Sequence, residues 1–139
     1  MPALKGILET ALYVTDLAVS GRFYETSIGL SALKKTDRLY AYDVNGRSVL
    51  LLFLRGATAE GATAGGGNEI PAHDATGQIH MAFEASHDAL DEWDRHLTSS
   101  GVTILSRTDW MRGGRSLYFR DPDGHLIEIA ASPGLWPGY

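Results

Sequence analysis

Hydrophobic and polar residues alternate over residues 7–14 (Ile-Leu-Glu-Thr-Ala-Leu-Tyr-Val), the period of a half-buried strand. Leu8, Leu12 and Val14 share one face, and Glu9, Ala11 and Tyr13 share the other. The period then lengthens. Asp16 is placed to cap a helix in which Leu17, Tyr24 and Ile28 follow one face, and Gly29 ends it. Strand patterns return at 30–35, 39–44 and 47–54, the last two joined by the hairpin dipeptide Asn45-Gly46. The order predicted is β-α-β-β-β.

After 54 the pattern stops. Residues 57–78 are rich in Gly, Ala and Thr, and 55–77 reads as a flexible linker. A second series follows. Residues 78–85 alternate, with Ile79, Met81 and Phe83 on one face and His80, Ala82 and Glu84 on the other. Ser86 is placed to cap a helix whose Leu90, Trp93 and Leu97 recur at helical spacing, and Gly101 closes it. Strands are predicted at 102–107, 115–120 and 125–131, with Asp121-Pro122-Asp123-Gly124 as the turn before the last. This is β-α-β-β-β again.

The two series keep register: Glu9 and His80 are 71 residues apart (80 − 9), and Gly29 and Gly101 are 72 apart (101 − 29). The repeat is one of pattern rather than of letters. Each series has one helix to cover one face of its sheet, so the other face needs a partner. The expected architecture is α+β: one domain over 1–139, built from module 1 (7–54) and module 2 (78–131), with a curved mixed sheet around a cleft suited to a small molecule. The chain's 139 residues accommodate two modules of this size. With a formal net charge of −5, a nucleic-acid surface is not expected. The absence of cysteine removes disulfides and thiolate chemistry, so any metal site must draw on His, Asp and Glu. The longest apolar run, 49–54, is too short to span a bilayer, and no signal-peptide pattern opens the chain. A cytoplasmic location is the corresponding expectation.

Three strands carry one ligand-type residue on an otherwise small or apolar face: Glu9, His80 and Glu128. In each strand the residue two positions on is alanine (Ala11, Ala82, Ala130), which leaves room beside the polar group. Any one of the three, taken alone, reads as a solvent-facing residue. Two carboxylates and one imidazole together suit a divalent metal ion, and three protein ligands leave positions open for substrate.

The stretches LETALYVTDLAVSGRFYETSIGL, GQIHMAFEAS and RSLYFRDPDGHLIEIA resemble those of the vicinal oxygen chelate superfamily, the glyoxalase/bleomycin resistance/dioxygenase proteins. The resemblance implies paired β-α-β-β-β modules with a metal in the cleft. It places the first-strand ligand, commonly His, on Glu9, the ligand opening the second module on His80, and the carboxylate after the Asp-Pro-Asp-Gly turn on Glu128. Glyoxalase I enzymes add a fourth ligand near the end of the first module. Counting four residues past Gly46 leads to Leu50, followed by Leu51 and Leu52, so this ligand is missing. The resemblance therefore implies a metal-dependent small-molecule enzyme with lyase, isomerase or dioxygenase chemistry. The alternatives are a metal-free drug- or metabolite-binding protein and a metal-dependent thiol transferase for antibiotic resistance. Mn²⁺, Fe²⁺, Ni²⁺ or Zn²⁺ is the expected ion, Glu9 or Glu128 doubles as a base, and a homodimer is expected.

Ser116 and Tyr118 share a strand face and are read as contacts to a substrate oxygen. Arg112, with Arg115 in Arg-Gly-Gly-Arg, is read as an anion clamp. Tyr13 shares the Glu9 face and is read as a pocket wall. His73 reads as an exposed loop residue. His125 is out of parity with Glu128 and is excluded as a ligand.

Overall fold

The computed structural model describes residues 1–139, which divide into two compact units, Met1–Thr76 and Gly77–Tyr139. In the first, β1 (Glu9–Val14) is followed by α1 (Leu17–Thr26), β2 (Ser31–Lys35), β3 (Leu39–Val44) and β4 (Ser48–Leu54). Asp16 is the N-cap of α1, its side chain accepting from the Ala18 and Val19 amides at 2.8 and 3.0 Å. Asn45 and Gly46 both take positive φ (53° and 64°), the conformation a two-residue hairpin turn requires, and Arg47 N–H closes it on Val44 C=O at 3.1 Å. The sheet order is β1-β4-β3-β2, with β1 and β4 parallel and the rest antiparallel. Leu12, Val14, Tyr42, Leu50 and Leu52 are all buried, as are Leu17 and Tyr24 of α1. Each Leu so removed from water contributes about 2 kcal/mol.

The second unit repeats this plan. β7 (His80–Ala85) leads through a 3₁₀ turn (His87–Ala89) into α2 (Leu90–Ser99), then β8 (Ser106–Asp109), β9 (Arg115–Arg120) and β10 (Leu126–Ala131). The order is β7-β10-β9-β8, with β7 and β10 parallel. Its core joins Leu117, Phe119, Ile127 and Ile129 to Leu90 and Leu97 of α2. The alternation along β10 therefore buries Ile127 and Ile129 on one face and turns Glu128 to the other.

Three expectations are corrected. The strand expected at 102–107 forms only at 106–109, where the ladder with β9 begins at Ser106 opposite Tyr118. Ser86 makes no side-chain cap, because the 3₁₀ turn intervenes between it and α2. The segment expected to be flexible carries a small hairpin, β5 (Ala62–Thr63) with β6 (Glu69–Ile70). Arg38 ties it down, donating to the carbonyls of Ala57 (2.6 Å) and Gly61 (3.4 Å). No helix is long and apolar enough to cross a membrane.

Candidate functional site

Strand register places the site. Glu9 is paired with Val49 at the edge of the first sheet, and His80 with Leu126 at the edge of the second, so the two residues hold the same position in their modules. The same register equates Glu128 with Leu51 rather than Leu50, which lies in the core at 1% exposure. The conclusion about a fourth ligand is unchanged, since either residue is leucine.

In the second unit, Glu128 stands directly across from Tyr118, with Ser116 two residues along β9 on the same face. Glu128 and Ser116 are buried, whereas His80 is half exposed. The Glu128 carboxylate meets Ser116 and His80 through different oxygens, and the Tyr118 hydroxyl bonds it as well. Oε1 accepts the Ser116 hydroxyl, and Oε2 lies 3.2 Å from His80 Nε2. His80 Nδ1 is 3.0 Å from the Leu126 carbonyl. A carbonyl only accepts, so Nδ1 carries a hydrogen, and Nε2 is the nitrogen turned toward Oε2. One proton or one metal ion between Nε2 and Oε2 would serve both atoms. A backbone carbonyl fixing one ring nitrogen is the usual support of a histidine that binds metal through the other. These donors fit a divalent ion.

Tyr118 lies beside this pair, its ring centroid 6.1 Å from that of His80. Burial, and then the Glu128 charge, push its phenol above its ordinary pKa, so it keeps its proton and remains a donor. Ser116 differs from its expected role. Trp110 Nε1–H donates to Ser116 Oγ at 2.8 Å, and the Ser116 hydrogen goes to Glu128, so the hydroxyl is engaged within the protein. Arg112 is exposed and pairs with no carboxylate, whereas Arg115 is held by Asp91 at 2.8 Å and Asp109 at 3.6 Å. The clamp expected of two arginines therefore reduces to Arg112.

The first unit holds a cavity of ≈ 420 Å³ whose lining includes Glu9, Arg38, Phe53, Thr58, Ile70 and His73. Glu9 is exposed at the start of β1. Tyr13 is half-buried and hydrogen-bonds His73 Nδ1 at 2.7 Å, while Phe53 meets the His73 ring edge-on at 4.8 Å. Burial, then the Asp74 charge, raise the Tyr13 phenol. His73 is therefore a fixed member of the cavity wall and not the exposed loop residue the sequence implied. Its partners Tyr13 and Phe53 are distant in sequence, and no local signal marks it. Within neither unit do three His, Asp or Glu side chains gather into a metal-holding group.

Two β-α-β-β-β modules, each with a ligand-type residue at the start of its edge strand, define an α+β protein with a His–carboxylate site. The chain belongs to the Glyoxalase/Bleomycin resistance protein/Dioxygenase superfamily, whose family model matches residues 6–129. It is 33% identical to the metallothiol transferase FosB of Bacillus licheniformis over 125 residues, 89% of this chain and 73% of that protein. A shorter match, 38% over 53 residues, is to the fosfomycin resistance protein FosX of Listeria innocua, covering 37% of this chain and 40% of that one. Among solved structures it is similar to a lactoylglutathione lyase from Agrobacterium tumefaciens, with a TM-score of 0.86 and 33% identity over 97% of this chain and 98% of that one.

Proposed function

We propose that the chain is a metal-dependent enzyme that transfers a thiol to a small anionic electrophile, with fosfomycin as the first substrate to test. The observation carrying this reading is the His80 Nε2–Glu128 Oε2 approach at 3.2 Å, which sets an imidazole nitrogen and a carboxylate oxygen as near as two ligands of one ion. The names of the relatives, metallothiol transferase and fosfomycin resistance protein, supply the substrate class. His80 and Glu128 would hold the ion. When bound, the ion supplies Lewis-acid polarisation of a substrate oxygen. Mn²⁺, Fe²⁺, Ni²⁺ and Zn²⁺ all suit imidazole and carboxylate ligands.

The chain's own groups do the rest. Tyr118, beside His80 and directly across from Glu128, donates to the oxygen that gains charge as the substrate opens. Arg112, free of carboxylate partners, binds the substrate's anionic group. Tyr13 steadies His73, a residue of the cavity wall that also includes Glu9. Exposed Ile7, Leu8 and Leu33 support pairing with a second copy, which sedimentation or light scattering measures directly.

The test is incubation of the purified protein with fosfomycin, a thiol (glutathione or cysteine) and each metal in turn, followed by mass spectrometry. The adduct of thiol and fosfomycin is expected only when metal and thiol are both present. Failure with every pairing, under conditions where a known FosB gives product, overturns the reading. A second reading, lyase chemistry on a thiol adduct, draws on the lactoylglutathione lyase similarity. The leucines at 50 and 51 disfavour it, because no fourth ligand stands in the first module.

A further inference from the structure

Glu128 is controlled by a chain of contacts that reaches well beyond the site. Trp110 Nε1–H can only donate, so at 2.8 Å Ser116 Oγ must accept from it. The single Ser116 hydrogen is then left for Glu128 Oε1. With Oε1 occupied in this way, Oε2 is the oxygen that faces His80. The indole thus determines which carboxylate oxygen is free for a ligand.

Trp110 sits at the start of the β8–β9 turn, which closes through Trp110 N–H to Gly114 C=O and Gly113 N–H to Trp110 C=O, both at 2.8 Å. Segment 132–139 packs directly on this turn. A Cβ at Gly114 would lie 2.7 Å from the Gly134 carbonyl carbon and 2.5 Å from Leu135 Cδ1. A Cβ at Gly134 would lie 2.3 Å from the Gly114 nitrogen. Only two glycines allow the backbones to approach so closely. The segment is anchored from the other side as well. His87 Nε2–H donates to the Pro133 carbonyl at 2.9 Å, Ser132 Oγ–H donates to Glu84, and Gly134 N–H closes on Tyr139 C=O at 2.8 Å.

We propose that Trp110 and Ser116 are positioning residues for Glu128, and that segment 132–139 holds them in place and so sets the metal affinity of the site. This rests on the metal reading above, but not on the identity of the organic substrate. Outer partners of metal-binding carboxylates and imidazoles are worth about 10–100-fold in affinity.

The experiment is calorimetric titration of Mn²⁺ into the metal-free chain and its variants, with the melting temperature of each metal-free protein measured alongside. Trp110→Phe keeps the ring and removes only the N–H, and Ser116→Ala removes the hydroxyl. Both are expected to bind Mn²⁺ about 10–100-fold more weakly than wild type, while Trp110→Phe melts within a few degrees of it. Ser116→Thr, which keeps the hydroxyl, is expected to recover most of the affinity. Gly114→Ala, which pushes segment 132–139 off the turn, is expected to weaken Mn²⁺ binding in the same direction as Trp110→Phe. Wild-type affinity in Trp110→Phe overturns the positioning role even if Gly114→Ala misfolds. Wild-type affinity in a folded Gly114→Ala overturns the part assigned to the segment. A wild-type chain that binds no Mn²⁺, Zn²⁺, Ni²⁺ or Fe²⁺ overturns the metal reading and this inference together.

Discussion

His125→Ala is expected to destabilise the second module and loosen the candidate site, although His125 is no ligand. The side chain is 1% exposed, and its Nδ1 accepts the Ile79 amide hydrogen at 3.1 Å, immediately before His80. Its own amide donates to Asp121 Oδ1 at 2.8 Å, a backbone bond that alanine retains. These contacts set two parts of the loss. Leaving a buried donor unpaired costs about 1–3 kcal/mol, and the low end applies because Ile79 is 41% exposed and water can reach the opened space. Removing a buried ring leaves a cavity costing about 2 kcal/mol. The sum is about 3 kcal/mol, a drop of roughly 10 °C in melting temperature for a domain of this size. Urea unfolding of wild type, His125→Ala and His125→Asn gives the comparison. Asparagine retains a carbonyl acceptor and should recover part of the loss. A His125→Ala protein within about 0.5 kcal/mol of wild type, a change typical of surface substitutions, would refute the reasoning. A fall in stability with unchanged Mn²⁺ affinity would show that the start of β7 keeps its position without the ring.

Two further outcomes follow from named contacts. Tyr42 is fully buried and donates to Glu25 Oε1 at 2.7 Å, while Lys35 also pairs with Glu25 and, with Tyr42, holds its carboxyl below its ordinary 4.5. A depressed carboxyl stabilises the fold above its unfolded pKa, and that contribution is lost as pH falls through the folded value. Tyr42→Phe should thus cost about 1 kcal/mol at pH 7, because Glu25 is a third exposed, and the melting-temperature gap to wild type should narrow below pH 4. Tyr118→Phe should lower the rate of thiol transfer by about 100-fold while Mn²⁺ affinity stays within a few fold, a split that steady-state kinetics and calorimetry read separately.

The alternation of strands was legible because each β-strand is half buried and each cap or turn is a local event. Asp16, the Asn45-Gly46 turn and the parity of Ile127, Glu128 and Ile129 are of this kind. Parity also identified His80 and Glu128 as candidates, and the structure sets them face to face at 3.2 Å. What the sequence concealed depends on contacts between residues far apart. Arg38 orders the Gly-rich segment from 19 residues away, Tyr13 fixes His73 across 60, and His125 supports Ile79 across 46. Ser116 shares a strand face with Tyr118 and reads from parity alone as a substrate contact. The hydrogen that it gives to Glu128 follows from Trp110, whose donor-only indole has no periodic signature.

The central claim is that His80 and Glu128 hold a divalent metal ion. The most direct measurement is equilibrium dialysis of the metal-free chain against Mn²⁺, with metal counted by elemental mass spectrometry for wild type, His80→Ala and Glu128→Gln. About one tightly held ion per chain is expected in wild type and its loss in both variants, with retained melting transitions showing that each remains folded. Equal metal content in wild type and both folded variants would contradict it.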